Sequence, residues 1–310
     1  MVTEGIKKEM LGAYIKKIIL ILLFFLLISD TSFSFASEVL VIKSANIKPY
    51  NEALEGFQDS CKCSVEKIVS LDSEDTDISK VISAIKPDAV FAIGMGALKQ
   101  AQTIKDIPVV YTMVPFFASV PSQQNISGVS MYISAEKYLN MIREVFPNAR
   151  RIGLIYNPQN SNRIVKEARQ KADSMRLELL VKKADRDRDI PALLDSMKGR
   201  IDIFWMLPDM SIVSAEAFNY MLLFSFLNEV PVVTFSKKYV EFGASAGLSI
   251  DTFDLGLQAG EIMRSLLRTN SYGAPKIADV RKTVLTINKK VVRKLGIKIR
   301  DDIKGSEYVE

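Results

Sequence analysis

Arg151-Ile-Gly-Leu-Ile-Tyr156 runs straight into Asn157-Pro-Gln-Asn-Ser-Asn162, and the join between the two pieces decides how the chain folds. The first is a short apolar run with the composition of a buried strand. The second gathers small polar side chains of the kind preferred at helix starts, and Ser161–Met175 continues as an amphipathic helix. Strand, polar turn and helix make one βα unit. Toward the C-terminus the unit repeats, with strands predicted at Glu178–Lys182, Asp202–Leu207, Pro231–Phe235 and Gly243–Ile250 and helices at Ile190–Met197 and Ile212–Leu227. Asp254–Leu267 is a further helix, with Leu255, Ala259, Ile262, Met263 and Leu266 on one face. Arg281–Ile287 is then a strand, and the helix Lys289–Leu295 stops at Gly296.

Toward the N-terminus, Ser134 caps a helix that runs to about Phe146. Val114–Gly128 breaks the rhythm with Pro115, Ser119, Pro121, Ser122, two Gln and Asn125, and reads as a crossing between lobes. Before it the βα pattern is already established: strands Val39–Lys43, Val65–Val69, Asp88–Ile93 and Pro108–Thr112, and helices Pro49–Asp59, Ile78–Ile85 and Ala97–Ile104. Strands alternating with helices predict an α/β fold built on parallel sheets. There are enough units for two of them.

The first 36 residues stand apart. Lys7, Lys8, Lys16 and Lys17 precede an unbroken apolar run, Ile18–Ile28, and Ser34-Phe35-Ala36 places small residues where a signal peptidase reads them. The expectation is an exported chain cut after Ala36; an uncleaved anchor is the rival, although the run is shorter than the ~20 residues that span a bilayer core. No Cys lies beside the cut. Taking away residues 1–36 removes four Lys and three acids from totals of 41 basic and 36 acidic residues, leaving 37 against 33. A near-balanced chain with interleaved charge points away from nucleic acid.

His is absent, which removes the commonest general base and metal ligand together. No Ser-His-Asp set can form, and neither a metal nor a cofactor is expected. Cys61 and Cys63 are the only cysteines. Without His they make a poor zinc site, and they read as two thiols or a local clip at a helix end.

Ligands of parallel α/β sheets sit at the carboxyl ends of the strands, where loops and helix N-termini present free N–H groups. In the first half that rule selects Ser44 and Asn46, then Gly94, Met95 and Gly96, then Thr112, Val114 and Pro115. In the second it selects Asn157, Asn160, Ser161 and Asn162, then Asp209, Met210 and Ser211, then Ser236 and Lys237, and finally Asp251. Each has a plainer reading beside it. Gly94 and Gly96 turn a strand into a helix or offer backbone N–H groups to a carboxylate, but they lack the third glycine and acidic partner of a dinucleotide site. Asn157, Ser161 and Asn162 cap a helix or touch the ligand. Asp209 caps a helix or meets an ammonium group. Trp205, inside its strand, reads as core.

Four stretches, Gly153-Leu-Ile-Tyr-Asn-Pro158 with Asn160-Ser-Asn162, Leu207-Pro-Asp209, Val230-Pro-Val-Val-Thr234 with Gly243-Ala244, and Ile250-Asp-Thr-Phe-Asp-Leu-Gly256 with Gln258-Ala-Gly260, resemble the ABC-transporter substrate-binding family that includes a tryptophan-binding protein. Thr286-Ile-Asn288 and Lys294-Leu-Gly296 fit the same family's ending. The resemblance covers most of the chain after Ala36. It implies a type I periplasmic-binding fold whose two Rossmann-like lobes close on a small solute, with residues 37–113 and 252–280 in lobe 1 and 114–251 and 281–310 in lobe 2. It also implies a non-enzymatic, monomeric periplasmic protein that serves an ABC permease and ATPase; a ligand sensor reporting to a separate membrane protein is the alternative. One departure stands out: many members carry Asp-Pro where this chain reads Val114-Pro115-Phe116-Phe117. With that carboxylate missing and Phe116, Phe117 and Tyr132 offering apolar surface, the expected solute shifts toward an aromatic or less polar one.

Overall fold

The computed structural model describes residues 16–17, 37–72, 77–115, 123–269, 275–299, 303 and 306–309. The expected cleavage point and Phe116 and Phe117 lie outside them. From Ser37 onward the chain makes two sheets within one compact unit. The first contains β1 (Glu38–Lys43), β2 (Ser64–Ser70), β3 (Ala89–Ile93), β4 (Val109–Val114), β5 (Ile126–Ser130) and β11 (Ile277–Asp279), in the order β11-β5-β4-β3-β1-β2 and parallel throughout. Its central strands are buried end to end, as befits a parallel sheet covered on both faces. The second contains β6 (Arg151–Tyr156), β7 (Glu178–Lys183), β8 (Ile203–Trp205), β9 (Val232–Thr234), β10 (Ala246–Ile250), β12 (Thr283–Asn288) and β13 (Ser306–Val309). Its order is β13-β12-β10-β9-β8-β6-β7, and only the β10–β12 pair is antiparallel.

Ten helices among the described residues cover these sheets: α1 (Lys48–Cys61), α2 (Ile78–Ile85), α3 (Met95–Ala101), α4 (Ala135–Val145), α5 (Pro158–Met175), α6 (Ile190–Asp195), α7 (Ala215–Asn228), α8 (Lys237–Glu241), α9 (Thr252–Thr269) and α10 (Lys289–Lys294). Their starts follow local chemistry. The side chains of Asp77, Ser134, Asn157, Ser214 and Asn288 accept from main-chain N–H groups of α2, α4, α5, α7 and α10 respectively. Cys61, the last residue of α1, is bridged to Cys63, so of the two readings left open by the sequence the clip is the one formed.

One expectation needs correcting. The stretch 114–128 does not carry the chain into the second sheet: β4 continues through Val114, and β5 adds a fifth strand to the first sheet with Tyr111 opposite Gly128. Ile126, Ser127 and Val129 of that strand are buried; its Ser and Gly content hides it from the sequence pattern. The crossing falls after Ser130 instead. The chain returns to the first sheet between β10 and α9 and leaves it between β11 and β12, so three connections join the lobes. The third is held by Arg281, whose guanidinium meets Asp254 at 2.9 Å and Glu261 at 2.9 Å on α9, while Lys137 Nζ of α4 donates to the carbonyls of Val280 and Arg281.

α1 and α9 form the tightest helix pair. A Cβ at Gly256 would lie 2.0 Å from the carbonyl oxygen of Ala53, one at Gly56 2.0 Å from that of Phe253, and one at Gly260 2.6 Å from that of Phe57. Three glycines therefore let two backbones touch.

In the second sheet, Asp202 fastens β8 to β6. It accepts from the main-chain N–H groups of Arg150 and Arg151 at 2.9 and 2.8 Å and from Arg151 Nη2 at 2.6 Å. Burial would raise its pKa, but these donors outweigh burial and hold the carboxyl below its ordinary value. A carboxylate depressed by folding stabilises the fold above its unfolded pKa, and that stabilisation is lost as pH falls through the folded one. Asp202→Asn is therefore expected to cost about 1 kcal/mol at pH 7, with the difference from wild type shrinking below about pH 4. Urea denaturation at pH 7 and pH 3 reads this directly; an equal difference at both would refute it.

Candidate binding cavity

The carboxyl ends of strands from both sheets open on one cavity of about 910 Å³. The first lobe contributes the N-terminal turn of α1 (Lys48, Pro49, Glu52), the end of β4 (Met113, Pro115) and the start of α9 (Thr252, Phe253); Met131 and Ile133 come from the first crossing. The second lobe contributes Tyr138, Ile164, Pro208, Met210, Phe235, Ser236, Lys237, Ser249, Ile250, Val284 and Glu307, with Asp251 at the second crossing. Most of the wall is apolar.

The charged groups are paired. Asp251 meets Lys282 Nζ at 2.7 Å and accepts from the N–H of Asp254, capping α9. Burial pushes the Asp251 carboxyl up, yet the ammonium of Lys282 and the main-chain donors prevail and keep it below the usual range. Lys237 and Glu307 are 2.7 Å apart, and the hydrogen bond raises the lysine's pKa. Glu52 accepts from the Thr252 hydroxyl and lies 3.8 Å from Lys48. Each charged side chain of the lining thus faces a partner of opposite sign.

Of the residues selected from the sequence, Met210, Ser236 and Asp251 line the cavity, along with Pro115 and Lys237. Thr112 and Val114 are buried beside it while Met113, between them, faces it. Strand alternation explains part of this. The rest is a bulge: between the Tyr111–Gly128 and Val114–Ser130 pairs, β4 sets two residues, Thr112 and Met113, against Val129 of β5, and Met113 has a left-handed φ of 58°. Ser44 is occupied structurally, its Oγ accepting from the N–H of Ala97 at 2.8 Å, and Gly94 begins α3 with φ 90°. Met95 and Asn162 are likewise outside the lining, Met95 half-buried and Asn162 exposed.

Asp209 is fully buried and holds two loops together. Its carboxylate accepts from the N–H of Asn157 at 3.0 Å, Ser161 Oγ at 2.8 Å, Asn160 Nδ2 at 3.0 Å and Ser211 Oγ at 2.7 Å. These bonds absorb Asn157, Ser161 and Asp209, and hold Pro208 and Met210 at the cavity wall. Glu307 and Lys48 were missed because they reach the site through an unrecognised final strand and a helix N-terminus. Trp205 is core, wholly buried with the Tyr138 ring 5.0 Å away. Gly243-Ala-Ser245-Ala-Gly247 has the spacing of a nucleophile elbow, but Ser245 is fully buried and precedes a strand where an elbow serine would precede a helix.

Two mostly parallel lobes with a shared apolar cavity at their strand ends define a two-lobed binding protein. Residues 55–307 match the family model described as ABC transporter substrate binding protein, and the chain belongs to that family. It is 28% identical over 229 residues to the tyrosine-binding protein of Clostridioides difficile strain R20291, a match that covers 71% of this chain and 66% of that one, just under two thirds. Among solved structures it is similar to a ligand-free, open substrate-binding protein with adhesive properties from Clostridium difficile, with TM-score 0.70, 21% identity, and 88% and 99% of the two chains covered. It is also similar to the ABC domain in complex with L-Trp from Streptococcus pneumonia, with TM-score 0.59, 22% identity, and 88% and 100% covered. The type I periplasmic-binding fold is thereby borne out.

Proposed function

We propose that this chain captures a small, amino-acid-like solute outside the cytoplasmic membrane and delivers it, as a monomer, to an ABC permease and ATPase. The observation that carries the reading is the cavity itself. Its volume of about 910 Å³ suits a small molecule, its wall is largely apolar, and its charged groups stand as Lys–Glu and Lys–Asp pairs with which a zwitterionic head group can exchange. Met210, Ser236 and Asp251 are the proposed contacts among the residues selected from sequence. A tyrosine-binding relative and an L-Trp-bound structural neighbour support an amino acid with an aromatic side chain. The signal-like segment supports export with cleavage after Ala36.

A thermal-shift screen of protein purified from its host over amino acids, nucleosides, sugars and small carboxylates tests this. L-Tyrosine or L-tryptophan at 100 times its Kd is expected to stabilise the fold by about 2.7 kcal/mol through mass action, and the mass of the same preparation should begin at Ser37. Stabilisation by sugars or nucleosides alone would overturn the solute class, and an intact 1–36 segment would overturn cleavage.

A further inference from the structure

Three of the chain's twelve methionines, Met113, Met131 and Met210, line this one cavity. They reach it from three separate places: the end of β4, the first crossing and the loop after β8. Met113 is held there against a steric penalty, since a left-handed φ of 58° crowds the Cβ of any L-residue. Such strain persists where the surrounding structure imposes it, and it clusters at ligand sites. Here the bulge in β4 does the imposing, and its effect is to turn a methionine into the cavity. Met210, on the opposite lobe, is 59% exposed at the same cavity.

Methionine differs from leucine of similar volume in its soft, polarisable sulfur, which makes favourable contacts at the edges of aromatic rings and gains nothing comparable from a branched aliphatic group. Phe235, Phe253, Pro115 and Pro208 add flat surfaces to the same wall. We propose that Met113, Met131 and Met210 form a thioether clamp by which the cavity selects a planar unsaturated ring over a branched aliphatic group of similar size. This deepens the small-solute reading above but does not require the solute to be an amino acid.

Calorimetric titration of the full chain with L-tyrosine, L-leucine and p-cresol separates the two ideas. The variants are the triple change Met113→Leu, Met131→Leu, Met210→Leu and the single change Met210→Leu, which at 59% exposure does not threaten the core. Wild type is expected to prefer L-tyrosine over L-leucine; the triple variant is expected to lose about tenfold of that ratio and the single variant about two- to threefold. An unchanged ratio in the triple variant, or in Met210→Leu should the triple fail to fold, overturns the clamp. Equal binding of the two amino acids by wild type also sinks it while sparing the amino-acid reading. Binding of p-cresol with neither amino acid does the reverse, and binding of none of the three rejects both.

Discussion

Gly256→Leu is expected to lower the melting temperature by about 10 °C, corresponding to roughly 3 kcal/mol or more. At this seam a single added carbon already lies 2.0 Å from a backbone oxygen, and a backbone cannot rotate away as a side chain can. The two helices must separate, which uncovers the apolar residues beneath them, among them Ala53, Phe57, Leu255 and Ala259. Gly296→Ala is the matched control. No atom lies within 4 Å of its added Cβ, although its φ is 68°, so its loss should stay near 1 kcal/mol. Differential scanning calorimetry distinguishes them; a loss at Gly256 no larger than that at Gly296 would mean that the helix seam yields to the added side chain.

Asp209→Ala should be of similar size, about 3 kcal/mol, because it strands the buried Asn157 N–H and Ser161 hydroxyl without an acceptor. The alanine variant should also bind L-tyrosine more weakly even though Asp209 is not in the lining: Pro208 and Met210 flank it and are positioned by its bonds. Chemical denaturation and calorimetric titration of one preparation give both readings. Stability within about 0.5 kcal/mol of wild type would show that other contacts hold the two loops.

The sequence made the βα rhythm legible because strands buried on both faces and capped amphipathic helices leave strong local signals. Trp205 and the α9 helix were placed by the same reasoning. What it concealed were short strands at the edge of a sheet or next to it. β5, β11 and β13 are three to five residues long and two of them are largely exposed, so no apolar run marks them. At the cavity, the carboxyl-end rule reached the correct loops but not always the correct residues. Thr112 and Val114 were chosen and Met113 faces the site, because one extra residue in a bulge, invisible to periodicity, redirects a side chain. Asp209 was legible as an N-terminal cap or a ligand group; that it gathers donors from the preceding βα loop is a tertiary fact, since Asn157 and Ser161 lie about fifty positions earlier.

The three connections between the lobes also bear on how the molecule is made. Neither lobe is a continuous stretch of chain: the first sheet lacks its edge until Ile277–Asp279 is synthesised, and α9, which packs against α1, comes about two hundred residues after it in sequence. A ribosome must therefore deliver most of the polypeptide before either half can complete its core. Pairings this distant form slowly, so the nascent chain stays open for longer than one whose domains are finished in turn.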